Sequence, residues 1–229
     1  MADEPYGPGR VLFDPVTEDP DRPPFVSWIS PSPDGWTLAV GVCSGGSEQN
    51  TIRLVDVPTG AVLPGAPPQT LMDNWTGGAH WLPDSSGFYF AAIEGAAIDL
   101  SNRVWVHRGE STTEVGVDWL PGNDYRMVVV SGDGRHAVAV QRIMNPVPVA
   151  VARLDGGDLE WRPFVTGVDA TVAGHLCGDA WIAVTDVDAP RGRVVRSHYA
   201  GPRSPARAIT SALRGAHTTA ATHPLSAAS

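Results

Sequence analysis

The chain has 229 residues, with 25 glycines, 21 prolines, two cysteines, no lysine and a formal net charge of −9. Ten arginines stand against all 25 acids through residue 190, and six arginines with no acid follow. An acidic body repels nucleic-acid phosphates and argues against such a partner. No segment approaches the ~18 consecutive apolar residues of a spanning helix, and the acidic start lacks the apolar run of a secretory signal.

After a proline-rich start, residues 10–13 predict a short strand before the Asp14-Pro15 turn. Strands follow over 25–30, 37–43 and 51–57, and Pro58-Thr59-Gly60 turns the chain toward a fourth. Thr51-Ile52-Arg53-Leu54-Val55-Asp56-Val57 alternates apolar with polar side chains, the period of a strand covered on one face. The plan repeats over 78–81, 88–93 and 102–108, then over 125–130, 137–142 and 147–154. It returns over 170–176, 180–187 and 193–199, with an outer strand over 161–165 between the third and fourth groups.

Each group centres on one turn signature between apolar runs. It reads Ser32-Pro33-Asp34-Gly35, Leu82-Pro83-Asp84-Ser85-Ser86-Gly87, Ser131-Gly132-Asp133-Gly134 and, more weakly, Gly178-Asp179. The aspartates are 50, 49 and 46 residues apart. Hairpin chemistry at that period marks an array of four-stranded units. The expected fold is all-β, a partial β-propeller of about four four-stranded blades filling residues 1–200, with blades over about 25–75, 76–123, 124–164 and 165–200. Residues 201–229 carry neither alternation nor aromatic anchors and read as a disordered tail.

Sites of chemistry are sparse. Cys43 and Cys177 read as small buried hydrophobes in a reducing, cytoplasmic setting. The seven histidines are scattered singly, with His80 and His175 read as hydrogen-bonded core or edge residues, so no metal site is expected. Asp155, Asp158, Asp186 and Asp188 read as turn residues, and no cofactor fingerprint is present. Gly45-Gly46-Ser47 invites comparison with a nucleophile elbow. Glu48-Gln49 replace the small residues an elbow needs, and a strand follows instead of a helix, so the segment reads as a hairpin loop.

Taken in order, Arg10-Val11-Leu12-Phe13-Asp14-Pro15, Ser27-Trp28-Ile29-Ser30-Pro31-Ser32-Pro33-Asp34-Gly35, His80-Trp81-Leu82-Pro83-Asp84 with Phe88-Tyr89-Phe90, and Ala189-Pro190-Arg191-Gly192-Arg193 resemble the propeller domain of the prolyl oligopeptidase family of serine peptidases. The resemblance implies a seven-bladed propeller capping an α/β-hydrolase domain, whose Ser-Asp-His triad cuts short peptides after proline while the propeller gates access. It also implies that this chain is a truncated, non-catalytic part, whose partners in intact relatives are the hydrolase domain and short proline-containing peptides. By the same resemblance, Tyr89 and Met144 face substrate, although Met144 departs from the family's usual residue. Open blade faces would favour self-association, and neither nucleic acid nor membrane is expected as a partner. The alternative is an autonomous propeller-like module for protein interaction.

Overall fold

The computed structural model describes residues 9–45, 49–72, 78–94, 101–120, 127–142, 146–154, 159–177 and 180–198. Sixteen strands form four antiparallel sheets in chain order. The first holds β1 (Phe25–Pro31), β2 (Thr37–Cys43), β3 (Gln49–Asp56) and β4 (Val62–Leu63), with β5 (Thr70–Met72) also on β3. The second holds β6 (His80–Trp81), β7 (Gly87–Glu94), β8 (Ser101–Arg108) and β9 (Ser111–Glu114). The third runs β10 (Met127–Val130), β11 (His136–Gln141), β12 (Val147–Arg153) and β13 (Arg162–Pro163). The fourth has β14 (Val172–Cys177), β15 (Ala180–Thr185) and β16 (Arg193–His198), three strands among the described residues. Among those residues no α-helix occurs, only a short 3₁₀ turn at Pro15–Thr17. The expected tail over 201–229 lies outside the described residues.

The recurring turn works through its serine and aspartate. In the first sheet the Ser32 hydroxyl donates to Asp34 Oδ1 at 2.6 Å, which also accepts the Trp36 amide at 3.0 Å, while the Thr37 amide donates to Ser32 Oγ at 3.0 Å. The third sheet repeats each bond, from Ser131 to Asp133 at 2.7 Å, Arg135 to Asp133 at 3.1 Å and His136 to Ser131 at 3.0 Å. In the second, Leu82 replaces the serine and Ser86 supplies both its hydroxyl and its amide to Asp84. The hydroxyl donors, then the amides, hold all three carboxyls below the usual aspartate range. The turning residue is Gly35 (φ 76°) or Gly134 (φ 70°), and in the second sheet Ser85 adopts φ 60° in that place.

Neighbouring sheets are joined by bonds one repeat apart. Ser30 Oγ donates to the Ala79 carbonyl at 2.7 Å, the Trp81 indole N–H to the Ser30 carbonyl at 3.0 Å, and the Asp34 amide to Ser85 Oγ at 3.1 Å. Ala39, Ile52 and Leu54 of the first sheet pack with Phe88, Phe90 and Ala92 of the second. A Cβ on Gly41 would lie 2.2 Å from Trp28 Nε1, so only glycine lets that indole cross β2 to reach Asn50 Oδ1 at 3.0 Å. A larger cluster carries on from Tyr89 and Val104 through the third sheet to Trp181 and Val195 of the fourth. Each fully buried side chain of this size contributes roughly 1.5–3 kcal/mol.

Residues 10–13 correct the expected strand. They pair with no edge and instead form part of a strap across the first sheet. Phe13 packs on Val40, Val42 and Val55, Arg10 reaches the Val57 carbonyl, and Glu18 closes on Arg53 at 2.8 Å. Burying an aromatic ring on an open sheet face outweighs the local strand preference of Val11-Leu12-Phe13.

Candidate functional site

The inner strands β6, β10 and β14 of three successive sheets meet around a cavity of about 500 Å³. Its long wall is β10, with Met127, Val129 and Val130 leading to Ser131 and Gly132 of the turn. His80 of β6 closes one side, and Ala173, Gly174 and His175 of β14 the other. Val140, Arg142, Pro146 and Trp181 complete the lining. A volume of this size with mainly apolar walls and few polar groups suits a small organic or peptidic ligand.

The polar groups differ sharply in environment. His80 is partly exposed as a residue, yet its Nε2 is buried and has no hydrogen-bond partner. Burial pushes its pKa down to about 4, so the imidazole is neutral near pH 7. His175 is exposed. Arg142 sits at φ 63°, a region unusual for a non-glycine residue, and its guanidinium meets Asp169 at 3.1 Å. The Ser131 hydroxyl is committed to the turn, donating to Asp133 and accepting from His136. The serine that lines this cavity is therefore already engaged within its own turn. Among the described residues no group of three or more His, Cys, Asp or Glu is placed to hold a metal ion.

Of the two side chains assigned to substrate by resemblance, Tyr89 alone lies among the described residues. Tyr89 on β7 is fully buried between the second and third sheets, and burial raises its phenol pKa, with Arg108 close enough to bond it. Met144 lies outside the described residues, between the cavity-lining Arg142 and Pro146. Ser47 also lies outside them, but Gln49 immediately begins strand β3, paired with β2 and β5. Neither cysteine is in a disulfide; Cys43 is buried as expected, whereas Cys177 at the end of β14 is exposed, contrary to the reading as a buried hydrophobe.

The sequence carried a signal for the cavity that went unused. His80 and His175 each stand four residues before the aspartate of their repeat, Asp84 and Asp179, and so occupy equivalent inner-strand positions. The expectation that His80 is hydrogen-bonded fails at its Nε2, which is buried without a partner.

Comparison with known proteins places the whole architecture. Residues 2–210 match the family described as prolyl oligopeptidase, N-terminal β-propeller domain. The prolyl endopeptidase of Elizabethkingia meningoseptica is 25% identical over 212 residues, covering 86% of this chain and 29% of that protein. A solved structure from a study of inter-domain dynamics in two prolyl endopeptidases superposes with a TM-score of 0.69 at 21% identity, over 90% of this chain and 31% of that one. Ligand-free prolyl oligopeptidase B of Galerina marginata gives 0.60 at 22% identity, over 82% of this chain and 29% of that one. The chain thus spans 29–31% of the length of these relatives.

Proposed function

Since the chain belongs to the prolyl oligopeptidase family through its N-terminal β-propeller domain, we propose that it is a non-catalytic propeller part of a prolyl-oligopeptidase-like serine peptidase. Its role is to shape and gate access for short proline-containing peptides, with an α/β-hydrolase domain as the partner that does the cutting. The observation that carries this is that β2 and β3 pair antiparallel on either side of residues 46–48, where a nucleophile elbow would be followed by a helix. Each sheet with its loops is one blade, over about 25–75, 76–123, 124–164 and 165–200. In this reading Met144, which falls in sequence between the cavity-lining Arg142 and Pro146, meets peptide, and Tyr89, buried in the described structure, contributes through packing. Two cysteines outside any disulfide suit a reducing, cytoplasmic setting.

The purified chain is expected to show no turnover of a fluorogenic peptide with proline before the cleaved bond, and Ser47→Ala to change nothing. Turnover that Ser47→Ala abolishes would overturn the reading. A second reading, an autonomous interaction module, is favoured by the apolar face that the fourth sheet leaves open, where Val184 and Val194 are exposed.

A further inference from the structure

We propose that His80 and His107 make the second sheet an acid-released joint. It holds both neighbouring sheets while the two imidazoles are neutral and lets them go once the rings are protonated. The device is independent of any role in gating peptides.

Strand register places the two rings on opposite faces of the sheet, because residues directly opposite each other in an antiparallel pair share a face. His80 pairs with Tyr89, which packs in the cluster shared with the third and fourth sheets. His107 pairs with Phe88, which packs with Ala39, Ile52 and Leu54 of the first sheet, and the rings of His107 and Phe88 lie 5.2 Å apart. One imidazole therefore stands at each joint. On the first-sheet side β5 packs on β7, and on the other side β10 packs on β6, β7 and β8.

Among the described residues neither ring has an anion to meet once it takes a proton. His80 Nε2 is buried with no partner. Facing it, β7 offers Tyr89 with the Arg108 guanidinium beside it, and β10 (Met127–Val130) offers no ionisable group. The cavity walls add Arg142 and His175 and no carboxylate. His107 is buried, and its Nδ1 lies 3.0 Å from Thr112 Oγ1, a hydroxyl that accepts from an imidazolium but brings no charge. The first-sheet residues in its cluster, Ala39, Ile52, Leu54 and Leu71, carry no ionisable group. On the second sheet, Glu114 closes on Arg103 at 2.6 Å, Asp84 is bonded by Ser86, and Glu110 lies against Gly65 of the first sheet.

Burial holds both imidazoles below their ordinary 6.5, His80 at about 4, with no nearby charge contributing to either. A proton is therefore taken up more readily when a face opens and lets water reach the ring. The effect is absent above pH 6.5 and grows as the pH falls toward 4. For His80 that span allows the opening equilibrium to rise on the order of 300-fold. Since β6 and β10 both wall the cavity, release at His80 also widens it.

The test follows the purified chain from pH 7 to pH 4 with an apolar-surface dye, far-ultraviolet circular dichroism and NMR titration of the imidazole C–H signals. In the wild type, dye binding is expected to rise across this window while the strand signal persists. His80→Gln and His107→Gln should each remove part of the rise, and the double variant nearly all of it. Three results would overturn the proposal. One is dye binding in the double variant that matches the wild type. Another is loss of the strand signal together with the dye response, which is global unfolding and not release of a joint. The third is wild-type rings that both titrate near 6.5 without dye binding, which means that they turn to water with the sheets still packed. Where a variant lacks the strand signal at pH 7, the wild-type titration decides. Rings titrating well below 6.5 as dye binding rises uphold the joint, and rings titrating near 6.5 reject it.

Discussion

The first and fourth sheets are built from the same repeat and stand at the two ends of the described row, yet their outward faces have different fates. The first buries Val40, Val42 and Val55 beneath Phe13 and fixes the strap through Arg53 and Glu18. The fourth leaves Ile182, Val184 and Val194 exposed. Hairpin chemistry therefore makes a sheet, but a blade becomes complete only when something non-local covers its second face. One aromatic ring on a short lead-in segment is enough to supply part of that cover.

The contrast can be broken or sharpened by substitution. The largest effect is expected at Trp181, a large buried aromatic that the fourth sheet contributes to the core, where it meets Phe164 edge-on at 6.1 Å and donates its indole N–H to the Val172 carbonyl at 3.3 Å. Trp181→Ala should cost about 3–5 kcal/mol by denaturant titration, because it removes the anchor on the side packed against the third sheet. A loss below about 1 kcal/mol would mean that the fourth sheet is held by something else.

Acid titration comes next. The folded pKa of His80, about 4, lies below its ordinary 6.5, so its contribution to stability is complete above pH 6.5 and is lost as the pH falls toward 4. The full effect is on the order of 2–3 kcal/mol. His80→Gln should flatten the loss across that window, and an unchanged pH profile in the variant would refute the assignment. The turn aspartates act lower, since their depressed pKa values hold stability until the pH drops through and below about 3.8.

The smallest pair compares the two outward faces directly. Phe13→Ala should cost roughly 1–2 kcal/mol, as a half-buried ring is lost from the strap. Val194→Ala in the wild-type monomer should stay within about 0.5 kcal/mol, because its side chain covers nothing in one chain. Equal costs for the two would erase the distinction between a covered and an open face.

Much of the fold was legible because its determinants are local. Ser32, Asp34 and Gly35 close their turn with bonds spanning at most five residues, and Ser131, Asp133 and Gly134 repeat them, so the sequence displays the device outright. Strand β2, Thr37–Cys43, matches its expected bounds for the same reason. The strap was not legible, because Val11-Leu12-Phe13 has strand-like composition and its true partner lies more than twenty-five residues away on β2. β5 and β9 were missed because Thr70–Met72 and Ser111–Glu114 are short and carry no apolar alternation. The site was legible only in part. In Phe88-Tyr89-Phe90 both faces of the strand are buried, so alternation gives no sign that Tyr89 turns toward the third sheet. His80 looked ordinary because an unsatisfied ring nitrogen depends on which walls surround it, and those come from three separate repeats.

The bonds between neighbouring sheets give the row a direction. Ser30, Ala79 and Trp81 rivet the first sheet to the second, and the strap doubles that end, while among the described residues the fourth sheet is gripped from one side alone. Thermal fraying should then start at the valine-lined flank and travel inward like a zip opened from its loose end. The amides of β16 would surrender their protons to solvent before those of β2 and β3.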